Sequence, residues 1–320
     1  MMNFVKFLKT WSLLVGLAVG TVVYLLFTEI APLAPIGEFV GPLLVTVLPV
    51  NVFLMLYITF CKMRMDDMRP RRWHFILQGI RVLLSFLVVL LINLTSDPTM
   101  KLLLEGVFIC VICPTAAAAP VIVEKLGGSI SSLTVYLFLA NAVTSVIIPL
   151  FFPMVEKDAD ISFLMAFLMV LRKVLMVLVI PLCCALLTRR FWPAMVRLLK
   201  TKPNLSIYIW SINLSIIMGI TMKSLLHAPV SGWVLTMLCI IPLVLSVFQF
   251  SLGKAVGRHY GDSIGAGQAL GQKNTVVGIW LTISFLNPYA AIAPCVYVIW
   301  QNIINALQLW YKQKYGYLKW

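Results

Sequence analysis

Three observations predict an all-α integral membrane protein with ten transmembrane helices in two inverted five-helix repeats, helices 4 and 9 being broken and crossing. Hydrophobic residues make up 61% of the 320 and charged residues 11%, against about 45–50% and about 25% in soluble domains. Apolar runs recur along the whole chain, each close to the ~20 residues a spanning helix needs. Helix breakers interrupt the fourth and ninth runs at corresponding places, about 158 residues apart against a half-length of about 150. Matched interruptions of that kind point to a transporter binding site.

The ten runs lie at about 10–28, 40–61, 74–96, 102–125, 130–155, 161–188, 205–226, 230–256, 264–286 and 289–311. The first follows Lys6 and Lys9 and superficially resembles a signal peptide. Its apolar stretch of about 17 residues exceeds the usual ~7–15, which predicts a retained span. The second run ends on the basic cluster from Lys62 to Arg72. The third carries Arg81, within reach of the cytoplasmic interface if it snorkels. The fourth contains Cys113-Pro114-Thr115 and Pro120 at its centre, where proline removes backbone hydrogen bonds and clashes with the preceding turn. The fifth holds Pro149 and Pro153, and the sixth holds Arg172 and Lys173 well inside it. That pair suggests an interfacial amphipathic piece or a side facing a cavity. The seventh and eighth meet the length requirement, the ninth is interrupted from Gly271 to Gly278, and the tenth stops before Lys312 and Lys314.

Five spans per half is an odd number, so the halves 1–155 and 156–320 must insert upside down relative to each other. Eighteen of the 25 Lys and Arg fall in the loops of one side and three (Lys101, Lys157, Lys223) in those of the other. This predicts a cell-membrane protein with both termini cytoplasmic. The net charge of +14 would suit nucleic acid, but its place in short interspan loops assigns it to orientation in the bilayer instead. The loops leave no room for an extramembrane domain.

Catalytic and cofactor signals are missing. His74, His227 and His259 sit at span ends without metal-ligand spacing, and Gly265 to Gly271 fits neither dinucleotide nor phosphate-loop patterns. No paired carboxylates and no nucleophile–base set stand at a membrane interface, which argues against an enzyme. No cofactor is expected. The seven Cys lie in or at the ends of apolar runs and read as buried packing residues. Cys110 and Cys113 share a helical face, and a soft metalloid site there is a minor alternative. The pairs Gly16/Gly20, Gly253/Gly257 and Gly267/Gly271 signal close helix packing.

Lys273 lies near the bilayer midplane, where insertion costs roughly 2.5–3.5 kcal/mol, so it is a functional candidate by default. With it go Asn274, Thr275, Pro114, Thr115, Asn141, Gln301 and Asn302 as substrate-binding candidates. Tyr136, Thr144, Ser145, Asn213, Ser215, Gln249 and Asn305 are further polar residues able to line a cavity. Helix N-termini aimed at the midplane would favour an anion.

The turn Cys113-Pro114-Thr115, with Pro149 and Pro153 downstream, resembles the Cys-Pro-Gly-Gly stretch and later proline span of the bile acid:sodium symporter family. Gly271-Gln272-Lys273-Asn274-Thr275 is similar to its Glu-Val-Gly-Met-Gln-Asn-Ser, and Trp300-Gln301-Asn302 to its Trp-His-Asn. The resemblance implies a core domain (spans 3–5 and 8–10) and a panel domain (1, 2, 6 and 7). The chain resembles a divergent member, with Ala269 where the family has its sodium-binding Glu, Lys273 where it has a liganding Gln, and Ala119-Pro120 in place of a Ser-Asn pair. The expectation is a secondary transporter of a small organic anion, bile-acid-like or a carboxylate, working by alternating access, with the Lys273 ammonium in place of a bound cation. Sodium-coupled symport through altered ligands and arsenite-type efflux are the alternatives. Substrate identity, direction, coupling ion and oligomeric state are not encoded in these motifs.

Overall fold

The computed structural model describes residues 7–8, 10–156, 164–165, 168, 172 and 175–318. Lys6, Lys9, Lys157, Lys173, Lys319 and most of the first half of the sixth run lie outside them. Thirteen α-helices are delimited: α1 Ser12–Glu29, α2 Ala34–Lys62, α3 Arg72–Leu94, α4 Pro98–Ile112, α5 Ala119–Leu126, α6 Ile130–Val155, α7 Ile180–Phe191, α8 Pro193–Lys200, α9 Leu205–Leu226, α10 Gly232–Arg258, α11 Ser263–Gly271, α12 Thr275–Phe285 and α13 Ile292–Tyr315. The described residues contain no strand, only one isolated bridge.

Among the described residues seven helices are long and apolar enough to cross a membrane, and the segment Met176–Phe191 with α8 would make an eighth, bent by 112°. Their outward sides are apolar, Phe39 being 77% and Leu94 81% exposed, as helices in contact with lipid require. The protein is a helical, multi-pass membrane protein. The fourth and ninth runs are each two short helices, α4 with α5 and α11 with α12.

Local sequence explains where helices begin. Asp97, Ser129, Ser231 and Asp262 each accept a hydrogen bond from the backbone N–H three residues on, capping α4, α6, α10 and α11. The helices α1, α2, α7 and α9 pack on one another, and α3 to α6 with α10 to α13 form a second group. Small residues set the closest approaches: a Cβ added to Gly16 would sit 2.5 Å from the Ser211 carbonyl oxygen of α9. The expected glycine packing is present.

The start of α1 and the end of α13 meet at one face, where Trp11 stacks on Trp310 with centroids 6.1 Å apart. Polar ties join the two groups at this face. Lys62 of α2 pairs with Glu124 of α5 at 3.3 Å and donates to the Pro203 carbonyl at 3.4 Å, while Lys125 donates to Asn204 at 2.7 Å. At the opposite face the pair Lys101–Glu156, 2.9 Å, lies within the second group.

Three expectations need correction. Arg81 does not snorkel; it is 2% exposed, because it stands nine residues into α3 and turns inward onto backbone oxygens. Not every cysteine is buried: Cys183 is exposed, and Cys184 and Cys239 are half-buried, since a span's lipid side tolerates a thiol. The basic stretch after α7 is no plain loop, for it contains α8, which starts on Pro193 at a position where proline costs no hydrogen bond.

Candidate functional site

The two helix breaks meet. α4 ends because Cys113 precedes a proline, which disfavours the helical region; its ψ is 138°. α5 restarts with Pro120 in its first turn. The other break contains no proline. There α11 stops at Gly271, Gln272 is extended with ψ 117°, and Asn274 begins α12 by accepting from the Val277 N–H at 3.4 Å.

Backbone groups freed by each break are satisfied by the other, as a bilayer interior demands. Thr115 and Lys273 form an antiparallel bridge: the Ala116 N–H donates to the Gln272 carbonyl at 3.0 Å and the Asn274 N–H to the Pro114 carbonyl at 2.8 Å. Gln301 of α13 holds Lys273 from both sides, accepting from its N–H at 2.8 Å and donating to its carbonyl at 3.3 Å. The Thr115 hydroxyl donates to the Ala269 carbonyl, and the Tyr297 hydroxyl to that of Gly271 at 2.8 Å. Gly271 allows this crossing, because a Cβ there would fall 2.3 Å from the Phe250 ring.

The C-terminal carbonyls of α4 are claimed by side chains from three other elements. Gln249 donates to Cys110 at 3.3 Å. The Lys273 ammonium donates to Val111 at 3.0 Å and Cys113 at 3.4 Å. Arg81 donates to the Ile112 carbonyl at 3.0 Å, to the Thr144 hydroxyl at 2.6 Å and to the Ala140 carbonyl at 2.9 Å. A helix C-terminus carries about half a negative charge; here the side-chain nitrogens of one lysine and one arginine face it. Among the described residues no carboxylate pairs with either cation.

A cavity of about 170 Å³ opens beside the bridge, room for on the order of ten waters. Pro114, Thr115, Asn141, Lys273, Asn274, Thr275 and Gln301 line it. Asn302 does not; it stands behind the wall, accepting from the Trp210 indole at 3.2 Å. Of the further polar residues, Gln249 and Thr144 serve the α4 end, while Tyr136, Asn213 and Asn305 are fully buried away from the cavity. The remaining wall is apolar and aromatic, with Val52, Met55, Leu178, Ile217 and the indoles of Trp210 and Trp280. The residues leading into α5, Ala116 to Ala118, and the start of α12, Asn274 to Val277, border the space.

Sequence reasoning missed Arg81 as part of this assembly. Its signal was a polar stripe on an apolar helix, His74, Gln78, Arg81 and Ser85, recurring every three or four residues and buried throughout. Cys110 and Cys113 are both buried, and the described residues contain no group of three His, Cys, Asp or Glu able to hold a metal.

The model of the Sodium Bile acid symporter family matches residues 49–228, more than half of the chain and inclusive of the first break. No curated protein matches the sequence.

Proposed function

The chain belongs to the sodium bile acid symporter family, and from that premise we propose a secondary transporter of a small organic anion that carries its own cation, Lys273, where a dissolved ion would otherwise bind. The observation that carries this reading is the ammonium bonded to the Val111 and Cys113 carbonyls inside the meeting of two helix breaks. Half-helix C-termini and unwound carbonyls are where transporters hold alkali ions. An ammonium supplies the same charge without dissociating. The cavity beside it, apolar with a few convergent polar groups, suits an amphipathic carboxylate, and two helix N-termini at its edge favour negative charge.

On this reading the two broken pairs complete ten spans in two inverted repeats, covering 1–155 and 156–320. The group α3 to α6 with α10 to α13 is the core, and α1, α2, α7 and α9 belong to the panel. Alternating access comes from movement of core against panel. Both termini are cytoplasmic, in keeping with the basic loops at that face. Pro114, Thr115, Asn141, Asn274, Thr275 and Gln301 contact the cargo, and Asn302 holds the Trp210 wall.

Uptake of radiolabelled cholate and of a short monocarboxylate into proteoliposomes tests the proposal. The expected rate is the same in sodium, potassium and choline media. Lys273→Gln is expected to lower it at least about tenfold, the effect of losing ~1.4 kcal/mol of binding. A strict sodium requirement would overturn the fixed-cation reading, as would a Lys273→Gln protein that transports like wild type.

A further inference from the structure

A family described by sodium invites the question of whether this chain could hold the ion at its crossing. An alkali cation needs several oxygens turned towards one point. The terminus of α4 offers the carbonyls of Val111, Ile112 and Cys113, with the Ala140 carbonyl and Thr144 hydroxyl of α6 alongside, and every one of them accepts from Lys273 or Arg81. At the end of α11 the carbonyls of Ala269, Gly271, Gln272 and Lys273 accept from Thr115, Tyr297, Ala116 and Gln301. The residues present do not fit sodium at either terminus.

Lys273 accounts for two of the five oxygens around the α4 end, and Arg81 takes the other three. Arg81 stands nine residues into α3, about 13.5 Å along the helix at ~1.5 Å per residue, beyond easy reach of either face. It has no carboxylate partner among the described residues, and its Nε is buried without a hydrogen-bond partner. If it only packed α3 against α4 and α6, an apolar side chain of similar volume would do so without the desolvation penalty. Charge is what an apolar side chain could not supply. The planar fork of arginine also lets one cation bond two helices at once, α4 through Ile112 and α6 through Ala140 and Thr144.

We propose that Arg81 is a positioning residue that acts as a second resident counter-ion of the α4 terminus, filling with its guanidinium the place of a mobile alkali cation so that the crossing closes without a dissolved ion. The inference deepens, and rests on, the fixed-cation reading of Lys273. It concerns the core's own assembly, so it is read without a substrate.

Thermal melting of the purified full-length protein in sodium, potassium and choline chloride at equal concentration tests it. Wild type is expected to melt at one temperature in all three. Arg81→Gln is expected to lose roughly 5 °C or more in choline and to recover most of that loss in sodium chloride, whereas Arg81→Lys, which keeps the charge but not the fork, melts lower than wild type by the same small amount in every salt. An equal loss for Arg81→Gln in all three salts overturns the proposal, since it would mark a merely structural residue. If Arg81→Gln does not accumulate, Arg81→Lys decides: accumulation with salt-independent melting supports the proposal, and failure to accumulate or a new sodium response overturns it. The underlying reading fails separately, through sodium-dependent uptake or a fully active Lys273→Gln, and neither of those outcomes would produce or remove the salt response of Arg81→Gln.

Discussion

Gln301 is the side chain on which the position of Lys273 depends, because one amide satisfies both the N–H and the carbonyl of that residue. Gln301→Leu would strand the Lys273 N–H, at roughly 1–3 kcal/mol, while its carbonyl keeps the Thr275 N–H at 3.0 Å. The expected result is a melting temperature lower by about 2 °C or more, read by differential scanning fluorimetry; an unchanged value would show that the bridge holds itself. Lys273 was legible in the sequence because a lysine at that depth is rare. Arg81 was not, since a sequence cannot say whether a long side chain reaches for the interface or turns inward. At the face where α1 begins and α13 ends, Asp67 accepts from Ser129 and Arg71, and the Ser129 hydroxyl, followed by Arg71, holds its carboxyl below the ordinary value of 3.8. A depressed folded value means stabilisation that is present above pH 3.8 and lost as pH falls through the lower folded value. Its carboxyl is more than a third exposed, so screening keeps the contribution below about 1 kcal/mol. Asp67→Asn should therefore melt about 1–3 °C lower than wild type at pH 7, with the difference shrinking as the pH falls below 3.8.

At the scale of elements, the crossing of α11 over α10 depends on Gly271, and Gly271→Ala would drive a methyl group into the Phe250 ring. Overpacking of this kind costs about 1–3 kcal/mol. Melting should fall accordingly, and Phe250→Leu in the same chain should restore part of the loss; absence of any rescue would move the strain elsewhere. Most helices were readable from apolar length, and 130–155 and 205–226 coincide with α6 and α9. The break after Ile112 announced itself through Pro114. That at Gln272 carried only glycines and a capping asparagine, so its position came from the match between halves. The short amphipathic helix α8 escaped notice because eight residues do not establish a helical period against a basic background.

For the whole molecule, Lys62–Glu124 and Lys125–Asn204 bind the two helix groups together at the face where α1 begins and α13 ends, over an apolar seam of Phe60, Val121, Ile122 and Ile207. Glu124→Gln is expected to raise amide hydrogen exchange several-fold in 119–126 and 203–207 and to leave the Lys101–Glu156 region as it was. Equal protection in both proteins would mean that the apolar seam alone keeps this face shut. That pairing was beyond the sequence, which offers Glu124 and Lys62 as ordinary loop-end charges; only packing makes them neighbours. The ammonium of Lys273 has one more consequence, which is electrical. A positive charge tethered to the chain cannot be discharged with the cargo, so an anion carried this way would cross without a compensating ion. Each 100 mV would then weigh about 2.3 kcal/mol on every turnover, a gradient of roughly fiftyfold, and the membrane voltage, not a salt gradient, would set which way the cargo flows.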